Sequence, residues 1–220
     1  MRSRFTMLAA CSLLAGHAVS HAEDASSAQS YLKTHSVATI SPIFSQLLRF
    51  QLPAGYTSVS EDTHGEHYLR EYVPAGQSVD GWSRMITIRG FRNLASKPAV
   101  TPQSYAGSIA AGFQRACQPS YSAQVIDEGQ VDGADMVAFV ASCGISPKSG
   151  NRSETALIIA LKGSSDYYAV QWAERGEPSA TPLAIDAAYW REKYQQLLPI
   201  KLCTRVAGEA APYPSCVNRH

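Results

Sequence analysis

The sequence is short of charge and shorter still of any charge excess. Asp, Glu, Lys and Arg make up 17% of its 220 residues, and 19 basic against 18 acidic side chains leave a formal charge of +1. No Lys/Arg block breaks this balance, so the electrostatic footprint of a nucleic-acid or anionic-membrane partner is missing. Beyond the N-terminal region no apolar run reaches the roughly 20 residues that a membrane helix needs. Gly-x-Ser-x-Gly, the elbow of serine hydrolases, is absent, and so are the glycine signatures that cradle phosphate. No cofactor is expected from these residues. No internal Pro/Ser/Gly-rich linker and no fixed-period repeat divides the chain, so one domain is the default.

The N-terminus carries a clear pattern. Arg2 and Arg4 precede an apolar run from Phe5 to about Ala18, and small residues at Ser20 and Ala22 lead into an acidic stretch. This is the layout of a secretory signal peptide cut after Ala22. Leu8-Ala9-Ala10-Cys11 imitates a lipoprotein box, but only about six apolar residues precede Cys11, fewer than such a region requires. The expectation is a periplasmic or secreted protein without stable membrane insertion. A flexible leader is expected over 23–43, the domain over 44–203, and a tail over 204–220. Asn151-Arg152-Ser153 is a glycosylation sequon, relevant only in a eukaryotic source.

Cleavage would leave four cysteines, Cys117, Cys143, Cys203 and Cys216. An even number in an oxidising compartment points to two disulfides. Three pairings are possible. Cys203 and Cys216 flank the turn-prone APYPS tail and are read as one bridge, which leaves Cys117 with Cys143. A nucleophilic Cys143 would need a histidine base, and the remaining histidines, His35, His64, His67 and His220, are all distant in sequence.

Alternation and turn residues predict strands over Phe44 to Leu52, Tyr56 to Glu61, Tyr68 to Val73 and Trp82 to Gly90. Thr101-Pro102 opens a helix running to about Gln118 on a Tyr105, Ile109, Phe113, Ala116 stripe. Strands Ala123 to Val131 and Ala134 to Ser142 meet at Asp132-Gly133, a strong hairpin signal. Glu154 to Lys162 and Tyr167 to Arg175 form another pair, and Asp186 caps a helix with Leu183, Ala187, Trp190, Tyr194 and Leu197 on one face. The class is α+β, a largely antiparallel sheet in the order four strands, helix, four strands, helix. On this order, and on WSRMITI, TPQSYAGSIAAGF and YYAVQW, the chain resembles the PsbP-like fold, named for an extrinsic protein of photosystem II and shared by several bacterial envelope proteins and a eukaryotic nuclear-transport accessory protein. That resemblance implies an accessory or binding factor, and no functional residue transfers with it.

Candidate sites are sparse. His64 and His67, with Glu61 and Asp62 beside them, form the one His/acid cluster; they are read as a solvated hairpin tip before a zinc or copper site. Asp127, Glu128, Asp132 and Asp135 surround the other hairpin, and an acid/base pair there is a minor alternative to turn residues. Tyr168, Val170 and Trp172 share one strand face and Tyr167 takes the other. If one sheet face is partly uncovered, Tyr167, Gln171, Arg89 and Arg70 form the patch for a partner. The expected function is therefore a non-enzymatic exported binder of an envelope or secreted protein, such as an accessory subunit or a toxin-immunity protein. The alternative is a carrier of a small ligand or metal, or a hydrolase with an acidic pocket.

Overall fold

The computed structural model describes residues 30–32 and 34–217. The expected signal peptide, its expected cleavage point and Cys11 lie outside the described residues. Ten strands form two antiparallel sheets among the described residues. The smaller sheet orders β1 (Val37–Ile43), β2 (Gln46–Leu52) and β10 (Lys201–Thr204) as β1-β2-β10. The larger has seven strands in the order β3-β4-β5-β9-β8-β7-β6. These are β3 (Tyr56–His64), β4 (His67–Pro74), β5 (Arg84–Phe91), β6 (Tyr121–Val131), β7 (Ala134–Ser146), β8 (Arg152–Lys162) and β9 (Tyr167–Gly176). Besides the helical residues 30–32 and 34, α-helices accompany them as α1 (Pro102–Ala116), α2 (Ala187–Leu197) and the short α3 (Pro214–Val217).

Local chemistry explains the best-defined of these elements. Asp132 and Gly133 both take positive φ, 50° and 80°, as a two-residue hairpin turn requires. Thr101 accepts from the Ser104 amide while the Ser104 hydroxyl receives the Thr101 amide, a reciprocal cap that starts α1 with Pro102 in its first turn. Asp186 accepts from the amides of Ala188 and Tyr189 and starts α2.

Alternation along the strands splits the large sheet between two cores. One face receives the small sheet and α2, where Tyr168, Val170 and Trp172 meet Phe50, Leu48, Trp190 and Leu197. The opposite face receives α1, where Tyr167 and Ala169 meet Tyr105, Ala106 and Ala110. Burying each large apolar side chain contributes about 1.5–3 kcal/mol, so packing on both faces holds the sheet between its layers. Gly90 faces the small sheet, and a Cβ there would collide with Ile43.

One buried carboxylate ties the layers together. Asp166, 1% exposed, accepts from the Ser45 amide at 3.0 Å, the Ser45 hydroxyl at 2.6 Å, the Asn93 amide at 2.7 Å and the Tyr168 hydroxyl at 3.2 Å. Burial alone would raise its pKa, but these donors outweigh it and hold the carboxyl below its ordinary value.

Several expectations are corrected. The order of four strands, helix, four strands, helix becomes ten strands in two sheets. The strand expected over Phe44 to Leu52 is present but begins at Gln46, because Phe44 adopts φ 49° and turns the chain. Val37–Ile43, read as leader, is β1, and Ile43 is buried in the main core. Strand β10 was not foreseen, since its four residues are too few to show a period. The polar tip EDTHGEH is mostly strand: β3 and β4 run to His64 and His67 and leave only Gly65 and Glu66 in the turn.

Bridges join Cys117 to Cys143 and Cys203 to Cys216, with Cα separations of 5.6 Å in both. This is the pairing read from the sequence. The first ties the C-terminal end of α1 to β7, and the second pins the tail to the small sheet.

Candidate functional site

Helix α1 lies chiefly over β7 and β8, so the β4 and β5 side of the same sheet face stays open. The step between helix and open sheet is a cleft of about 750 Å³. Its wall is a stripe of α1 at helical spacing, Tyr105, Ser108, Ile109, Gly112, Phe113 and Ala116. Its floor is the sheet. The Cys117–Cys143 bridge closes one end, with Cys143 in the lining.

Across the floor runs a polar row fixed by strand register. Glu71 on β4 stands opposite Thr87 on β5, and Thr87 opposite Gln171 on β9. Thr87 and Gln171 are only 5% and 6% exposed. Two residues along β5, Arg89 donates its Nε to Gln171 Oε1 at 2.9 Å. Among the described residues, the other guanidinium nitrogens of Arg89, the Gln171 amide nitrogen, the Thr87 hydroxyl and the Glu71 carboxylate make no hydrogen bond or ion pair. None of these atoms is sealed from solvent, so the row offers donors and acceptors that an occupant can take over from water. Burial pushes the Glu71 carboxyl up, and the Arg89 charge draws it only partly back.

Further along, the Arg175 guanidinium sits 3.7 Å from the centre of the Trp82 ring and donates to the Asp80 carbonyl at 3.2 Å. Burial lowers its pKa from the usual arginine value. The Ser149 hydroxyl donates to Glu154 at the edge of the lining.

Of the four residues proposed from the sequence as a partner patch, the fold brings two together, Arg89 and Gln171. Tyr167 is fully buried beneath α1; its hydroxyl donates to the Val100 carbonyl at 2.7 Å and its ring packs on Tyr105 at 5.1 Å. Arg70 points to the other face, 3.6 Å from Glu61 and 5.1 Å from the centre of the Tyr72 ring. Glu71, Thr87, Trp82 and Arg175 were not singled out as site residues. Glu71 was visible as an acid in phase with Leu69 and Val73, on the face that should be apolar.

His64 and His67 are direct cross-strand partners and both are exposed, with the His67 ring 4.3 Å from that of Phe91. No group of three or more ligating side chains forms among the described residues, so this pair stands as two imidazoles without a third ligand. Asp127, Glu128, Asp132 and Asp135 are exposed on the β6–β7 edge outside the cleft, with Asp135 accepting from Gln130 at 2.9 Å. No helix among the described residues is long and apolar enough to cross a membrane.

Among the described residues the geometry thus defines a two-sheet α+β domain with an open, polar-floored trough beside α1. No protein-family model matches the chain, and no curated protein matches it. Among solved structures it is similar to the Saccharomyces cerevisiae Ran-binding protein Mog1p, at 8% identity and a TM-score of 0.40 over 74% of this chain and 86% of that one. A Bacteroides thetaiotaomicron protein is similar at 11% identity and a TM-score of 0.41, over 80% of this chain and half of its own. These figures carry no argument about function. They do not support the PsbP-like resemblance, which is corrected: the neighbours found are Mog1p and this bacterial protein, with ten strands in two sheets replacing the expected sandwich.

Proposed function

We propose that the chain is a non-enzymatic binding protein of the bacterial envelope or exterior, and that it holds part of a protein partner in the cleft beside α1. One observation carries this reading: a row of polar side chains, Thr87 and Gln171 nearly buried and Glu71 and Arg89 half-buried, has hydrogen-bonding groups open to solvent and is flanked by an apolar helix stripe. An occupant that supplies partners exchanges water for protein hydrogen bonds worth about 0.5–1.5 kcal/mol each, and about 1.5–3 kcal/mol where one side is charged. Export is supported by the leader pattern and by four cysteines in two bridges.

Photoreactive residues test the site. Placed at Ile109 in the cleft wall, one should give a discrete adduct in envelope extracts that Arg89→Glu abolishes; placed at Glu192 on α2, it should not. Equal adducts from both positions, or none from Ile109, would overturn the assignment. N-terminal sequencing tests export, with Glu23 expected as the first residue of the recovered protein. An intact leader on a reduced cytosolic molecule would contradict it.

A second reading follows from the volume, since about 300–1,000 Å³ is the size of small-ligand pockets. Native mass spectrometry of the protein purified without denaturation would then show a retained small molecule.

A further inference from the structure

We infer that the cleft selects an acidic side chain next to a large apolar one, so that its occupant is a short partner segment pairing Asp or Glu with Leu, Ile or Phe. This rests on the cleft being the partner site and names what that site reads.

The donors decide the polarity of the ligand. Arg89 spends only Nε on Gln171 Oε1, and that bond fixes the plane of the guanidinium while leaving both terminal nitrogens unpaired. The same bond takes the oxygen of the Gln171 amide, which leaves its NH2 to line the cleft. A guanidinium edge beside an amide NH2 is a donor set for carboxylate, and charge-assisted bonds of this kind are about twice as strong as neutral ones. Gln171 is itself 6% exposed and Thr87 5%, so the receiving groups are built into the fold.

The surrounding charge agrees. The lining holds Arg89, Arg175 and Lys148 against Glu71 and Glu154, with His67 at the far edge. Glu154 already accepts the Ser149 hydroxyl, and Glu71 faces the row from β4 as an acceptor for the N–H groups that a peptide brings. The apolar half of the recognition comes from α1, where Ile109 and Phe113 are half-buried and line the cleft opposite Met85 and Phe91.

The test uses two dye-labelled, C-amidated hexapeptide pools, identical except that Leu or Phe is followed by Glu in one and Gln in the other. Fluorescence anisotropy with the purified chain should show the Glu pool binding about tenfold or more tightly than the Gln pool. Arg89→Gln should erase the difference, Arg89→Lys should restore part of it, and Arg70→Gln on the other face should change nothing. Equal binding of the pools, no binding of either, or a preference that survives Arg89→Gln would overturn the inference. If the Ile109 adduct forms while the pools bind alike, only the carboxylate rule falls. If the adduct is absent, the partner reading beneath it falls as well.

Discussion

Asp166 holds three parts of the chain at one point: the turn between β1 and β2, the exit of β5 at Asn93, and the entry to β9. Its carboxyl lies below its ordinary value in the folded state, so the stabilisation it gives is complete above the unfolded pKa. It is lost as pH falls through the carboxylate range to the lower folded value. Urea unfolding at neutral pH should show Asp166→Ala destabilised by about 3 kcal/mol, because donors from three segments are orphaned. The wild-type loss of stability in acid should flatten in Asp166→Asn; an unchanged acid limb would assign that loss elsewhere. Gly90 gives a steric counterpart. Gly90→Val should cost about 2 kcal/mol or more in the same assay, since the added carbons meet Ile43 across the two sheets. Neither role could be read beforehand: Asp166 sits in a Gly-Ser-Ser-Asp turn and Gly90 at the end of a strand, and their partners lie far away in sequence.

Helix α1 shows what local signals do reveal. Thr101-Pro102 and the Tyr105, Ile109, Phe113 stripe placed it within two residues of its observed end, because a cap and a helical period need no distant partner. The Asp132-Gly133 hairpin was legible for the same reason. The β1–β2 turn was not: Phe44, a good strand former, takes the left-handed conformation under the constraint of the Asp166 node beside it. At its two ends α1 is held by different means, and each can be removed. Thr101→Ala should lower stability by about 1 kcal/mol in a thermal melt. Replacing Cys117 and Cys143 together by Ser should cost on the order of 3.5 kcal/mol, as expected for a closed loop of about 27 residues. It should also weaken binding of the Glu peptide pool, because the wall of the cleft loses its anchor at the Cys143 end. Thiol titration of the denatured, unreduced protein should find no free cysteine among these four.

At the scale of the whole molecule, the site exists because one helix is too narrow for the face it covers. Seven strands present that face and α1 lies mainly over β7 and β8, so the polar row on β4, β5 and β9 stays reachable. Arg89 and Gln171 were visible as polar residues in apolar strands. Their meeting depends on β5 pairing with β9, elements 82 residues apart at the Arg89 to Gln171 bond, and no local pattern encodes that register. Tyr167 and Arg70 were chosen on the same composition and fell beneath the helix and on the opposite face, since composition does not say which part of a sheet is covered. Two glycines of α1 turn this geometry into a controlled measurement. A Cβ added at either Gly107 or Gly112 meets nothing within 4 Å, but only Gly112 lines the cleft. The account predicts that tagged Gly107→Trp and wild-type protein retain the same envelope partner while Gly112→Trp, equally folded, loses it. Undiminished retention by Gly112→Trp would contradict the claim that recognition takes place in the trough.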